Sequence, residues 1–225
     1  MNPAAVRRMP SYQPIARRPI AEIFRRTAHG ATRLSLRLGI SADAISFSSV
    51  VLAAAAALSF WQSSHRPWLL IVAPLFCYLR LWCNMLDGMV ALAADQASRR
   101  GEVINDLPDR VSDVLIFVGA AHSGWMNPLF GYWAALMSLG TAYVGMLGQA
   151  VGARREFGGM MSKPWRMVAL GFGAWITWAL FRWNHGDTTI AGLSALAWAC
   201  ALVITGCVQT AAQRLGRILR AFKKI

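Results

Sequence analysis

Residues 84–113 read NMLDGMVALAADQASRRGEVINDLPDRVSD, and they hold six of the ten carboxylates of a chain that is otherwise basic and apolar. Ionisable groups are expensive at membrane depth, so their concentration beside hydrophobic helices marks a candidate functional site. Their intervals are regular. Asn84, Asp87, Gly88 and Ala91 recur at i, i+3, i+4 and i+7, and Gly101, Asn105, Asp109 and Asp113 at successive i+4 steps. Each set therefore lines one face of a helix, and the short stretch from Leu92 to Arg100 lets two such faces close on a common site. Asp95, Glu102 and Asp106 fall off those faces and read as solvating charges of a connection.

Outward from this stretch the chain has the composition of a membrane protein, with 56% hydrophobic residues, 15% charged and ten Trp among 225 residues. Apolar runs cover roughly Ala44–Trp61, Trp68–Met89, Leu107–Ser123, Leu129–Val151, Trp165–Phe181 and Thr188–Val208. Each is near the ~20 residues that cross a bilayer. The expected fold is an all-α integral membrane protein of about six transmembrane helices. Its third helix is poor in apolar residues at its start, which suits a helix projecting from the membrane with its acidic face out of lipid.

A net charge of +13 raises the question of nucleic acid, and its distribution answers it. Eight Arg precede Asp43, Arg99, Arg100 and Arg110 surround the second connection, Arg154, Arg155, Lys163 and Arg166 the fourth, and Arg214, Arg217, Arg220, Lys223 and Lys224 the tail. The opposite connections hold only Arg66 and Arg182. This is the positive-inside pattern, which puts both termini and the acidic site in the cytoplasm, with Ser98 and Ser162 inside and Ser63 outside. It argues against nucleic-acid binding.

Residues 1–43 form a separate cytoplasmic segment, and 44–225 the six-helix domain. Pro19 opens a helix in which Ile20, Ile23, Phe24, Thr27, Ala31, Leu34 and Leu38 share a face opposite many Arg, an amphipathic basic juxtamembrane helix suited to the headgroup layer. An orientation signal with no other task reads equally well. Cys77, Cys83, Cys200 and Cys207 lie in apolar runs without metal-ligand spacing, and the four His are scattered, so no zinc site is expected. Trp61, Trp68, Trp125, Trp165 and Trp183 stand near segment ends as interfacial anchors. Gly140, Gly145, Gly148 and Gly152 permit close helix contact, either within the chain or at the seam of a homodimer.

Carboxylates and amide oxygens converging from two helices suit a hard divalent cation, Mg²⁺ or Mn²⁺, carrying a substrate phosphate. At these residues the chain resembles the CDP-alcohol phosphotransferase family. That signature is D-x-x-D-G-x-x-A-R-x8-G-x-x-x-D-x-x-x-D, and here it reads Asn84-x-x-Asp87-Gly88-x-x-Ala91-Leu92, eight residues, then Gly101-x-x-x-Asn105-x-x-x-Asp109. Every interval matches. The continuation Arg110-Val-Ser-Asp113 and the entry Gly39-Ile-Ser-Ala-Asp43 to the first span are also similar. Three positions depart: the first and third acids are Asn84 and Asn105, and the motif Arg is Leu92. Asparagine still offers a carbonyl oxygen, but two neutral ligands remove two negative charges and weaken metal binding or reduce the number of ions held. Arg80, Arg99 and Arg100 are the candidates to replace the missing Arg in space.

What the resemblance implies is the transfer of a substituted phosphate group, on a phosphatidyl donor, from a CDP-alcohol such as CDP-diacylglycerol to an acceptor hydroxyl, with release of CMP. Asn84, Asp87, Asn105 and Asp109 would hold the metal. Asp109 would also be the general base, and Asp87, Gly88, Ala91 and Gly101 would take the nucleotide. Arg154, Arg155, Lys163 and Arg166 suit an acceptor phosphate or lipid headgroup, though ordinary cytoplasmic loop charge accounts for them equally. The expected setting is a multi-pass protein of the bacterial cytoplasmic membrane, among its lipids. Two other classes stay open: a catalytically impaired or non-enzymatic membrane protein, and a membrane prenyltransferase, which would place its acids at other spacings in a longer bundle.

Overall fold

A computed structural model of the chain describes residues 30–94, 99–153, 156–183 and 189–222, except for the side chains of 99–105. Helical turns over residues 30–37 (α1) are followed by α2 (Ala42–Trp61), α3 (Leu69–Ala93), α4 (Arg99–Ala121), α5 (Pro128–Ala150), α6 (Lys163–Trp183) and α7 (Ala195–Phe222). Most of the juxtamembrane helix expected from Pro19 lies outside the described residues. In α1 itself Thr32 and Ser35 are buried, whereas Leu34 and Leu38 of the expected apolar face are exposed.

Local chemistry sets the helix ends. Gly39, at φ 67°, takes the left-handed conformation that closes α1, with Ile40 N–H donating to Ser35 O at 2.9 Å. Ser41 then caps α2, its hydroxyl accepting from Ala44 N–H at 3.2 Å. Asn127 caps α5 in the same way, ahead of Pro128. The last helix begins later than its apolar run, because Thr189–Ile190 and Leu193–Ser194 pair as a short hairpin around Ala191 and Gly192, both at positive φ. Ser194 caps α7 through Ala197 N–H. That helix runs on through Phe222, past the apolar residues and into the basic tail.

Among the described residues six long helices close into a ring: α3, α2, α4, α5, α7 and α6 follow one another around it, each packed chiefly on two neighbours. Small residues bring the members together. A Cβ on Gly119 of α4 would stand 2.4 Å from the Ala57 carbonyl oxygen of α2, and one on Gly173 of α6 would meet Ala199 of α7 at 2.5 Å. Gly145 of α5 lies against the Glu156 carbonyl and Arg214, and Gly148 is buried, but Gly140 faces open space. The core between helices holds Phe60, Leu70, Ile116, Phe117, Met167, Leu170, Leu196 and Val203.

Polarity runs opposite to that of a water-soluble bundle. Phe47, Leu75, Leu136, Tyr143, Phe172 and Leu202 point outward, while Arg80, Asp113 and Arg166 are buried. Large apolar side chains turned outward along the helices, with charges buried between them, are what lipid demands, so this is a membrane protein. Trp61, Trp68, Trp165 and Trp183 are exposed near helix ends; Trp125 is half-buried and donates to Ser63 Oγ at 3.0 Å. By length and composition, three described stretches can cross a membrane: Ala42–Ser64, Leu69–Ala93 and Ala195–Phe222. Charges in the first half of α4 lower its hydropathy, and α5 and α6 dilute their aliphatic residues with Gly and Trp.

Candidate active site

Four helices bring the acidic site together at the end of the ring where α2, α4 and α6 start and α3 finishes. Asp87, on α3, is 2% exposed and accepts from Ser46 Oγ of α2 at 2.6 Å. Three residues earlier, Asn84 donates its amide N–H to Asp109 Oδ1 of α4. The two motif faces, separated by the connection after α3, thus meet through an amide and a carboxylate. Gly88 follows Asp87, and a Cβ there would meet nothing within 4 Å. Open space beside a buried carboxylate is what a ligand entering along the helix backbone needs.

Asp109 is held from several sides. Arg80 of α3 donates to its carbonyl oxygen at 2.9 Å and reaches Oδ1 at 3.4 Å, and Lys163, the first residue of α6, is ion-paired with Oδ2. One turn further along α4, Asp113 is fully inside the ring. Its Oδ1 accepts from Arg80 and its Oδ2 from Arg166 of α6, both at 2.8 Å. Arg166 also donates to Thr141 Oγ1 of α5 at 2.9 Å. A buried charge lacking partners would cost several kcal/mol; here Asp113 and its two arginines tie α3, α4, α5 and α6 together.

The expected residues are therefore distributed as follows in space. Asn84, Asp87, Gly88 and Asp109 share the site, Ala91 is half-buried one turn beyond, and Leu92 is 54% exposed, turned away from the acids. Gly101 and Asn105 lie on α4, with side chains outside the described residues, as do Arg154 and Arg155. Lys163 and Arg166 do not form one cationic patch, since the first turns to Asp109 and the second to Asp113 and Thr141. Asp106 pairs with Arg110 at 2.7 Å, half exposed, in keeping with a solvating charge. Sequence spacing did not reveal the link from Lys163 to Asp109. Its only signal was a lysine placed at the mouth of a helix, on the side where the acids lie.

No protein-family model matches the chain. It is 28% identical to a phosphatidylinositol phosphate synthase of Mycobacteroides abscessus over 160 residues, which are 68% of this chain and 70% of that protein. Identity to the inner membrane protein YnbA of Escherichia coli is 27% over 136 residues, 58% of this chain and 67% of the relative. The fold is shared with phosphatidylinositol phosphate synthase of Mycobacterium tuberculosis. Its structure in complex with manganese and citrate matches with a TM-score of 0.69 at 21% identity, covering 85% of this chain and 88% of that one. The CDP-DAG-bound structure matches at 0.68, again at 21% identity, covering 86% and 94%. In its motif intervals the chain is similar to the CDP-alcohol phosphotransferases, and it shares the fold of a phosphatidylinositol phosphate synthase. The motif intervals that align the acids of α3 and α4 in sequence are the ones that bring Asn84 and Asp109 into contact.

Proposed function

We propose that the protein transfers a phosphatidyl group from CDP-diacylglycerol, or a similar CDP-alcohol, to an acceptor hydroxyl and releases CMP. The observation that carries this reading is the meeting of the two motif faces at Asp109, with Gly88 open to space beside Asp87. Relatives that act as phosphatidylinositol phosphate synthases support it, as does the CDP-DAG held by a protein of the same fold.

The residues present fit a hard divalent cation, Mg²⁺ or Mn²⁺. Asp87 and Asp109 supply charge, the amide of Asn84 beside Asp109 offers a neutral oxygen, and Asn105 falls on the α4 face by its sequence interval alone. With Asn at two of the four motif positions, this is a lightly charged site. Bound there, the cation would neutralise the diphosphate of the donor. Gly88 and Ala91 leave room for the nucleotide. Asp109, 14% exposed, takes the proton of the acceptor hydroxyl as its oxygen bonds to the phosphatidyl phosphorus; the bond from that phosphorus to the bridging oxygen breaks, and CMP departs. Lys163 and Arg80 steady the carboxylate in place.

In this reading all six long helices span the membrane, α4 projecting into the cytoplasm, with both termini and the site on that side. The experiment is CMP release from CDP-diacylglycerol by the full chain in detergent, with Mg²⁺, Mn²⁺ or chelator, across a panel of polyols and polyol phosphates. Metal-dependent CMP release with one acceptor is the expected result. Its absence with every acceptor, from well-folded protein, would leave a non-catalytic relative.

A further inference from the structure

The carboxylates of the site are met by cations of the chain itself. Arg80 and Lys163 meet Asp109, and Arg80 and Arg166 meet Asp113, with the Arg110–Asp106 pair beside them. Both oxygens of Asp109 are engaged by the chain itself, Oδ1 by Asn84 and Arg80 and Oδ2 by Lys163. Lys163 reaches that carboxylate from a different helix, from the first position of α6 and next to Pro164, so its backbone is fixed where it can project to one point. With Asn at two of the four motif positions, the site holds half the acidic charge of the family signature.

We propose that Lys163 is a tethered cation of the site, standing at Asp109 in the place of a divalent ion. The inference rests on Asp87 and Asp109 being the cation-holding pair, and it says how that pair is shared. A monovalent ammonium covers Asp109 and leaves Asp87, with amide oxygens, to hold a single metal ion weakly. Two like charges on neighbouring ligands repel, so Lys163 lowers the affinity for any metal at Asp87 and blocks a second ion at Asp109. The replacement of acids by Asn84 and Asn105 and the presence of Lys163 are then one adaptation: each removes the need for a second divalent ion.

Mn²⁺ binding to the full-length protein in detergent, without nucleotide, tests this by electron paramagnetic resonance of the free ion. Lys163→Met is expected to bind Mn²⁺ about tenfold more tightly or to take one further equivalent. Lys163→Gln, which keeps a donor for Asp109 but no charge, should do the same, and Lys163→Arg should keep the parental isotherm. Lys163→Gln serves if the methionine variant fails to fold. Isotherms of Lys163→Gln or Lys163→Met that coincide with the parent's overturn the proposal, and so does a gain in Lys163→Arg equal to theirs, because charge would then not be the cause. Turnover is separable: a binding gain in a protein that never releases CMP sinks the proposed reaction alone, and CMP release with unchanged isotherms sinks this inference alone.

Discussion

Asp109 and Asp113 are one helical turn apart and share Arg80, yet their surroundings assign them different work. Asp109 is reachable from outside, and Asp113 is 1% exposed between two arginines. Asp109→Asn is expected to abolish CMP release while leaving the fold intact, as assayed by turnover beside circular dichroism; substantial activity would remove it from the base role. Asp113→Asn instead strands two buried guanidinium groups and should lose about 3–5 kcal/mol on SDS titration. Gly88→Ala separates backbone preference from ligand space. Alanine gains up to ~1 kcal/mol in a helix and meets no atom there, so stability should hold or rise while the KM for CDP-diacylglycerol increases. An unchanged KM would place the nucleotide elsewhere. Much of this was legible from residue intervals alone, since i+4 spacing put Asp109 and Asp113 on one face. The partners were not, because Arg80 and Arg166 lie 33 and 53 residues from Asp113 and no local period connects them.

Among the elements, α2 and α4 form the contact on which site geometry depends. Gly119 of α4 packs on the Ala57 backbone of α2; near one end of the same pair, α2 presents Ser46 to Asp87 and α4 presents Asp109. Gly119→Ala must push the helices apart, and overpacking of this kind costs about 1–3 kcal/mol. A fall in both unfolding free energy and CMP release is expected, whereas a variant with parental values in both would mean that α2 yields without disturbing Ser46. Helix ends were less legible than helix existence. The last apolar run suggested a start near Thr188, but turn chemistry at Ala191 and Gly192 delays α7 to Ala195. Beyond the apolar run, Arg214 carries α7 on by donating to Gly158 O at 2.8 Å and Phe157 O at 3.2 Å, strapping the connection before α6 to the tail. Hydropathy is blind to such contacts, because it treats Arg214 only as a charge that ends a span.

At the scale of the whole molecule, the ring sorts chemistry to one end and plain packing to the other. Ser63, a natural reporter for the far end, is fully buried, so the exposed His65 is the better probe. On intact cells a membrane-impermeant maleimide should label His65→Cys, and label the exposed Gln149→Cys only after lysis; the native thiols are buried. The reverse pattern would turn the site outward and end the cytoplasmic reading. The bridge from Asp113 to Arg80 and Arg166 carries a last consequence, for how the chain is made. Arg80 is synthesised before Asp113, but Arg166 follows it by 53 residues, so α4 leaves the ribosome with one of its two counter-ions still unwritten. If α4 spans as proposed, that carboxylate needs the shelter of the insertion machinery or of water until α6 arrives. In the proposed topology, with α4 and α6 both spanning, entry into the bilayer and assembly of the bundle become a single event, completed when the fifth long helix delivers its arginine.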